Sequence, residues 1–123
     1  MNALDKADAL KERTKQFAIR IVAVSRSLPR SREADVVAKQ LLRSGTAVAA
    51  NYRAVCRARS KAEFISKISI VVEEADETVF WLELLGDTGL APAAKLALLL
   101  KEANELVAIC AASLRTAKDN RVA

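Results

Sequence analysis

Histidine is absent from this sequence of 123 residues, and glycine, proline, cysteine and aromatic residues are scarce. Without histidine the chain cannot form a Ser-His-Asp triad, a Cys-His dyad or an imidazole metal site. Two cysteines are too few for an all-thiolate zinc site. Five aromatic side chains disfavour a surface that binds nucleic acid by base stacking. Three glycines and two prolines supply few tight turns, which disfavours an all-β fold.

Long apolar runs are also missing, since none approaches the ~18 residues that a membrane-spanning helix needs. The first fifteen residues are charged and lack the short apolar core of an export signal. We therefore expect a cytoplasmic protein without membrane contact, whose cysteines stay reduced. Cys56 and Cys110 fall on apolar helix faces, which predicts two buried, unreactive thiols.

Helix breakers and capping residues divide the chain into four segments. Ser31 is a suitable N-cap, and Ser60 to Glu63 has the spacing of a capping box. The breakers are Pro29, Gly86, Gly89 and Pro92. The sequence predicts one domain, residues 1–123, with helices at about 4–28, 32–58, 61–86 and 92–118 and a frayed tail at 119–123.

Each predicted helix carries apolar residues at steps of three and four, which places them on one face. These faces comprise Leu10, Phe17, Ile21, Val24 and Leu28; Val37, Leu41, Ser44, Val48, Asn51 and Val55; Phe64, Ile68, Val71, Ala75, Thr78, Leu82 and Leu85; and Leu96, Leu99 or Leu100, Ala103, Val107, Cys110 and Leu114. Four such helices with short connections predict an all-α fold, an antiparallel up-down-up-down four-helix bundle.

The apolar content, 52% of the residues, exceeds what one face per helix requires. The second and third helices carry further apolar residues outside their main faces. Contact with another subunit explains this surplus, and a wide core in a monomer is the alternative; we favour a homo-oligomer. The candidate subunit-interface residues are Leu42, Tyr52, Val79, Phe80 and Trp81.

Charge is distributed unevenly along the chain, whose net charge is +5. Residues 11–67 contain fourteen basic and four acidic residues, whereas residues 68–123 contain five basic and nine acidic residues. A basic face on the second helix predicts binding to the phosphates of RNA or DNA. Ion pairs with the acidic third helix, within or between subunits, are the alternative. The candidate nucleic-acid-binding residues are Lys39, Arg43, Arg53, Arg57 and Arg59, with Arg13, Lys15 and Arg20 as a second set.

Polar residues interrupt the apolar faces of the second and third helices. They predict an interhelical hydrogen-bond cluster that fixes the helix register, or alternatively a small polar pocket for a ligand or partner. The candidate members are Gln40, Ser44, Asn51, Glu74 and Glu77. Di-metal sites in bundles use Glu-x-x-His pairs, which this chain lacks. We therefore predict no catalytic residue, no metal and no cofactor, and hence no enzyme.

Three runs in the second and third helices resemble a known family. They read QLLRSGT followed by NYR (residues 40–46 and 51–53), SKAEFISKI (60–68), and EADET followed by WLELL (74–78 and 81–85). In this combination, over about residues 15–115, the chain resembles the bundle proteins encoded in intervening sequences of bacterial 23S rRNA genes. The resemblance implies a four-helix bundle, a ring-shaped homopentamer and no enzymatic activity. The family includes relatives of the accessory variability protein of diversity-generating retroelements. This relationship implies nucleic acid and a reverse transcriptase as partners.

The chain departs from that family at one position. Relatives continue NYR with Glu-Ala, whereas Ala54 and Val55 follow Arg53 here. If the missing carboxylate pairs with Arg43 or Arg57 in relatives, its loss frees a basic group in this chain. The residues that the resemblance marks as characteristic are Gln40, Arg43, Ser44, Asn51, Tyr52 and Glu74.

Overall fold

Four α-helices make up most of the computed structural model, which describes residues 2–120. They are α1 (Ala3–Ser27), α2 (Arg32–Val55), α3 (Lys61–Thr88) and α4 (Ala93–Asn120). Each helix packs closely against the next one in the chain, whereas α1 and α4 contact each other sparsely. The predicted all-α four-helix bundle is confirmed.

The starts of α1, α2 and α3 follow from side-chain caps. Asn2 Oδ1 accepts a hydrogen bond from the backbone N–H of Asp5 at 2.9 Å. Ser31 Oγ accepts from Ala34 at 3.1 Å, and Ser60 Oγ accepts from Glu63 at 3.0 Å. Each oxygen satisfies a first-turn N–H that has no partner inside its helix. The two serine caps expected from the sequence are confirmed.

The ends of α2 and α3 differ from the predicted ones. α2 stops at Val55, and the next residue, Cys56, forms the cap and is exposed. The expectation of a buried thiol is therefore wrong for Cys56. α3 continues past Gly86 to Thr88, because the left-handed turn falls at Gly89, with φ of 75°. Glycine adopts that backbone conformation at no steric cost, so it ends the helix.

The last helix begins at Ala93, directly after Pro92, and continues to Asn120. Residues 119 and 120 are thus helical, although the sequence predicted fraying from 119, and residues 121–123 lie outside the described part of the chain. Cys110 is fully buried as expected, and this burial raises the pKa of its thiol to about 11. None of the four helices carries an apolar stretch that could span a lipid bilayer.

The core follows the expected faces and also includes residues outside them. Leu106 is fully buried, whereas its neighbour Val107, which the sequence pattern placed in the core, is partly buried at the side. Thr14 is also fully buried, and its hydroxyl donates to the carbonyl of Lys11 at 3.0 Å. That local bond removes the cost of burying the hydroxyl.

Candidate functional site

Three consecutive residues of α2 point in three directions: Arg43, Ser44 and Gly45. A helix advances by 3.6 residues per turn, so neighbouring side chains lie about 100° apart around the axis. Arg43 extends toward α3 at the surface, Ser44 points into the core, and Gly45 faces Ile21 of α1. Residues 43–45 therefore contact α3, the core and α1, respectively.

Arg43 links α2 to α3 at the surface. Its guanidinium donates to Glu74 at 3.3 Å and is paired with Glu77. It also donates to the side-chain oxygen of Gln40 at 3.0 Å. Glu77 in turn accepts from the indole N–H of Trp81 at 2.9 Å. The structure thus places three of the proposed cluster residues around a candidate nucleic-acid-binding arginine, and it adds Trp81 to them.

Ser44 forms a second polar contact between the same helices, inside the core. Thr78 Oγ1 lies 2.9 Å from Ser44 Oγ and 2.8 Å from the carbonyl oxygen of Glu74. Both hydroxyls are fully buried. Asn51 lies eight residues beyond Arg43, about 12 Å along the helix, and takes no part in either contact. The polar cluster is therefore two neighbouring groups without Asn51.

Gly45 lets α1 and α2 approach each other closely. A Cβ at this position would lie 2.7 Å from Cγ2 of Ile21, a side chain that is fully buried. The surplus apolar residues of the second helix include Tyr52, and Gly45 lies seven residues before it on the same face of α2. Because Gly45 meets Ile21 and Tyr52 is buried in the chain's own core, the bundle itself accounts for part of that surplus.

Arg13 connects α1 with α4. Its guanidinium makes two hydrogen bonds of 2.7 Å to Glu102 and lies 3.7 Å from Glu105. The hydrogen bond from Arg13 holds the pKa of Glu102 below its ordinary value, against the opposing effect of burial. The same bond raises the pKa of Arg13. Arg13 and Arg43 therefore already neutralise carboxylates of their own chain.

Basic side chains from both helices line a groove between α1 and α2. It has a volume of about 470 Å³. Its basic residues are Lys11, Lys15 and Arg53, its acidic ones are Asp8 and Glu12, and Thr46, Ala49 and Ala50 complete it. Lys11 lies 3.7 Å from Asp8. Lys15 and Arg53 have no ion-pair partner within residues 2–120.

Lys11 was not singled out from the sequence, although its spacing of four residues from Lys15 places both on one side of α1. The groove joins Lys15 from the second set of candidates to Arg53 from the first set. Lys39 on α2 and Arg57, in the connection that follows α2, are both exposed. Arg20 lies toward α4, where its charge lowers the pKa of Glu102.

Arg59 is mostly exposed in the connection between α2 and α3, and its guanidinium lies 3.9 Å from Glu63. An exposed pair at that distance contributes little. The candidate basic residues are therefore spread over several surfaces, and the α1–α2 groove is where two of them come together with Lys11.

The candidate subunit-interface residues divide into buried and accessible ones. Tyr52 and Val79 belong to the core of the single chain. Leu42 and Trp81 are partly buried, and Phe80 is 52% exposed. Phe80 and Trp81 pack edge to face, with ring centroids 4.8 Å apart. An aromatic pair left at the surface is typical of a protein interface.

Metal-ligating side chains do not cluster in the described helices. No group of three or more Cys, Asp or Glu side chains within residues 2–120 has the arrangement of an ion site. The carboxylates Glu74 and Glu77 are instead occupied by Arg43.

Two comparisons found known proteins that are similar to this chain. A family model described as 23S rRNA-intervening sequence protein matches residues 8–112. A crystal structure of a protein of unknown function, from the S23 ribosomal protein family of Bacteroides thetaiotaomicron VPI-5482, is 35% identical in sequence. The alignment covers 85% of this chain and 96% of that chain, with a TM-score of 0.79. No curated protein matches the chain.

Proposed function

The chain belongs to the 23S rRNA-intervening sequence protein family, and from that premise we propose that it is a ring-forming, non-enzymatic bundle that binds nucleic acid. The α1–α2 groove is the proposed contact with the phosphate backbone. One observation carries this proposal: Lys15 and Arg53, from two different helices, meet in one groove and have no ion-pair partner within residues 2–120.

The groove suits a phosphate better than a base. Its basic residues carry their charges at the ends of long, flexible side chains. Thr46, Ala49 and Ala50 are small enough for a sugar-phosphate backbone to approach. No aromatic residue lines it, so base stacking is not expected to contribute. Asp8 and Glu12 partly offset the positive charge. We therefore expect weak, sequence-independent and salt-sensitive binding at each groove.

A ring compensates for weak binding at one groove. Several identical grooves on one particle make the second and later contacts intramolecular, which raises the apparent affinity without new contacts. Exposed apolar side chains on α2 and α3 support self-association: Val36 is 57% exposed, Ile70 42% and Phe80 52%. Such residues gain free energy when a second copy covers them.

Binding to short RNA and DNA, single- and double-stranded, tests the proposal directly. Fluorescence anisotropy at low salt compares the wild type with Lys15→Glu/Arg53→Glu. The matched control is Lys95→Glu/Lys101→Glu, which changes the net charge equally at exposed positions of α4. We expect at least a tenfold loss for the groove variant and less than twofold for the control. Equal losses, or no binding of any polymer by the wild type, would contradict the proposal.

An adaptor protein is the second candidate, because α3 carries a complementary acidic surface. Glu73, Asp76, Glu83 and Asp87 are exposed and have no ion-pair partner within residues 2–120. A basic face on one subunit and an acidic face on the next suit head-to-tail association. In that case Arg53→Glu/Arg57→Glu would dissociate the oligomer. Light scattering separates the two candidates, since a nucleic-acid groove predicts an unchanged mass for this variant.

A further inference from the structure

Among the residues that the structure describes, space remains where the first turns of α1 face the last turns of α4. Two cavities lie there, of about 530 and 670 Å³, and both are lined by Lys6, Phe64 and Ser113. Because they share these three residues, we call the two cavities together the α1–α4 groove. Volumes in this range are those of sites that hold small organic ligands.

The surface of this groove is largely apolar. α1 contributes Leu10, α4 contributes Ile109, and Tyr52 and Phe64 come from the helices opposite. The other side chains that α1 and α4 contribute are mostly small: Ala7, Ala9, Ala112, Ser113 and Ala117.

Small side chains on two facing helices normally permit close contact, as Gly45 does between α1 and α2. Here α1 and α4 contact each other sparsely instead. The space between them therefore stays unfilled by the described side chains, although apolar groups line it.

The charged side chains that line the α1–α4 groove, among the residues that the structure describes, are all basic: Lys6, Lys61 and Arg13. This differs from the α1–α2 groove, where Asp8 and Glu12 stand beside the cations. Arg13 is bound to Glu102, whereas Lys6 has no ion-pair partner within residues 2–120. An apolar surface with a cationic edge is complementary to an apolar chain that ends in an anion.

We propose that the α1–α4 groove binds a single-chain anionic amphiphile, with the alkyl chain between Leu10, Phe64 and Ile109 and the anionic head beside Lys6. The alkyl chain would fill the space that the small residues leave. This site is separate from the nucleic-acid groove and does not depend on it, because the two grooves share no lining residue.

A series of straight-chain alkanoates tests the site by calorimetry, below their aggregation concentrations. From octanoate to decanoate to dodecanoate we expect the affinity to rise about fourfold for each added methylene until the groove is full. Bound decanoate should also raise the melting temperature, whereas a surfactant that unfolds the protein lowers it. An affinity that does not change with chain length would overturn the proposal.

Two variants locate the ligand. Ser113→Trp places a large side chain in both cavities and should reduce decanoate binding at least tenfold, with circular dichroism confirming an intact helical fold. Lys6→Glu should weaken decanoate several-fold and strengthen decyltrimethylammonium, because it reverses the charge at the edge. Lys15→Glu, on the same helix but outside this groove, is the matched control and should change neither. Equal effects of Lys6→Glu and Lys15→Glu would overturn the assignment of the head.

The proposed occupant is a free single-chain acid and not a two-chain membrane lipid. Co-sedimentation with phosphatidylglycerol vesicles that Ser113→Trp abolishes would overturn this assignment, because phosphatidylglycerol carries two acyl chains. Binding of the alkanoates without vesicle binding would support the assignment to a free acid. The proposal also fails if the alkanoates do not bind in a way that depends on Ser113.

Discussion

The contacts α2–α3 and α1–α4 lie on different sides of the bundle and are built differently. Between α2 and α3, polar side chains bond one another both at the surface, around Arg43, and in the core, between Ser44 and Thr78. Between α1 and α4, Arg13 binds Glu102 and Glu105, and an apolar groove opens beside it. In the α2–α3 contact the polar groups bond one another, whereas the α1–α4 contact leaves a surface that is available for a ligand.

The same distinction separates the arginines and lysines. Arg43 and Arg13 are charges that the fold already uses, while Lys15 and Arg53 lie in a groove without an ion-pair partner in the described chain. Position on a helical wheel does not reveal this difference, because it depends on which acidic residue lies opposite.

Gly45→Ala should cause the largest loss of stability, because the new methyl group would meet Ile21 close to its backbone, where the side chain cannot swing away. We expect a loss of about 1–3 kcal/mol, as for other overpacked cores. Gly86→Ala is the matched control, since its methyl group would meet Leu96 at an ordinary 3.6 Å. Urea denaturation should show Gly86→Ala as neutral or slightly stabilising, and equal losses for both would show that helix packing does not require Gly45.

Thr78→Val should follow, with a loss of about 1–2 kcal/mol, because it removes the buried hydrogen bond to Ser44 while keeping the side-chain shape. Thr88→Val in the same helix is the control. Thr88 bonds only to carbonyls of its own helix and is exposed. Thermal denaturation should separate the two variants, and matching losses would mean that the contact between α2 and α3 gains nothing from the hydroxyl pair.

Arg13→Met should have a smaller effect on global stability, about 0.2–1 kcal/mol, because the ion pair is partly exposed to solvent. Its local effect should be clearer. We expect amide hydrogens in the first turns of α1 to exchange several-fold faster, since α1 has few other contacts with α4. Arg43→Met should leave that exchange unchanged. Faster exchange in both variants would contradict the separation of the two contacts.

Acidification should show the smallest effect, through Glu102. Its pKa lies below the ordinary value of 4.5, because Arg13 stabilises the carboxylate. The resulting stabilisation is complete above that ordinary value and is lost as the pH falls through the lowered pKa. An NMR titration of the Glu102 side chain should show a higher pKa in Arg13→Met. An unchanged pKa would place the cause outside the Arg13 pair.

Local features of this fold were predictable, and contacts between distant residues were not. The caps at Ser31 and Ser60 and the main core faces depend on spacings of three or four residues, which the sequence displays directly. Leu106 was not predicted because its neighbour Val107 fits the same pattern, and Thr14 was not predicted because it is polar, although its spacing places it on the face of Leu10 and Phe17. The end of α3 depended on which of two glycines takes a positive φ, a choice that neighbouring contacts decide.

The candidate sites show the same limit. Arg13 and Glu102 are 89 residues apart, so their pairing depends on the way α4 returns beside α1. The α1–α2 groove likewise needs the antiparallel register that brings Arg53 beside Lys15. Interhelical register is set by packing of the whole bundle, which a one-dimensional pattern does not contain.

The salt dependence of nucleic-acid binding tests most directly whether Lys15 and Arg53 are the available charges. The logarithm of the binding constant should fall linearly with the logarithm of the salt concentration, with a slope of about 0.7–0.9 for each phosphate contact. Lys15→Ala/Arg53→Ala should reduce that slope by roughly 1.4–1.8 for each groove engaged. Arg13→Met and Arg43→Met should leave it unchanged. A slope that all these variants reduce equally, or a wild type without salt dependence, would contradict the assignment.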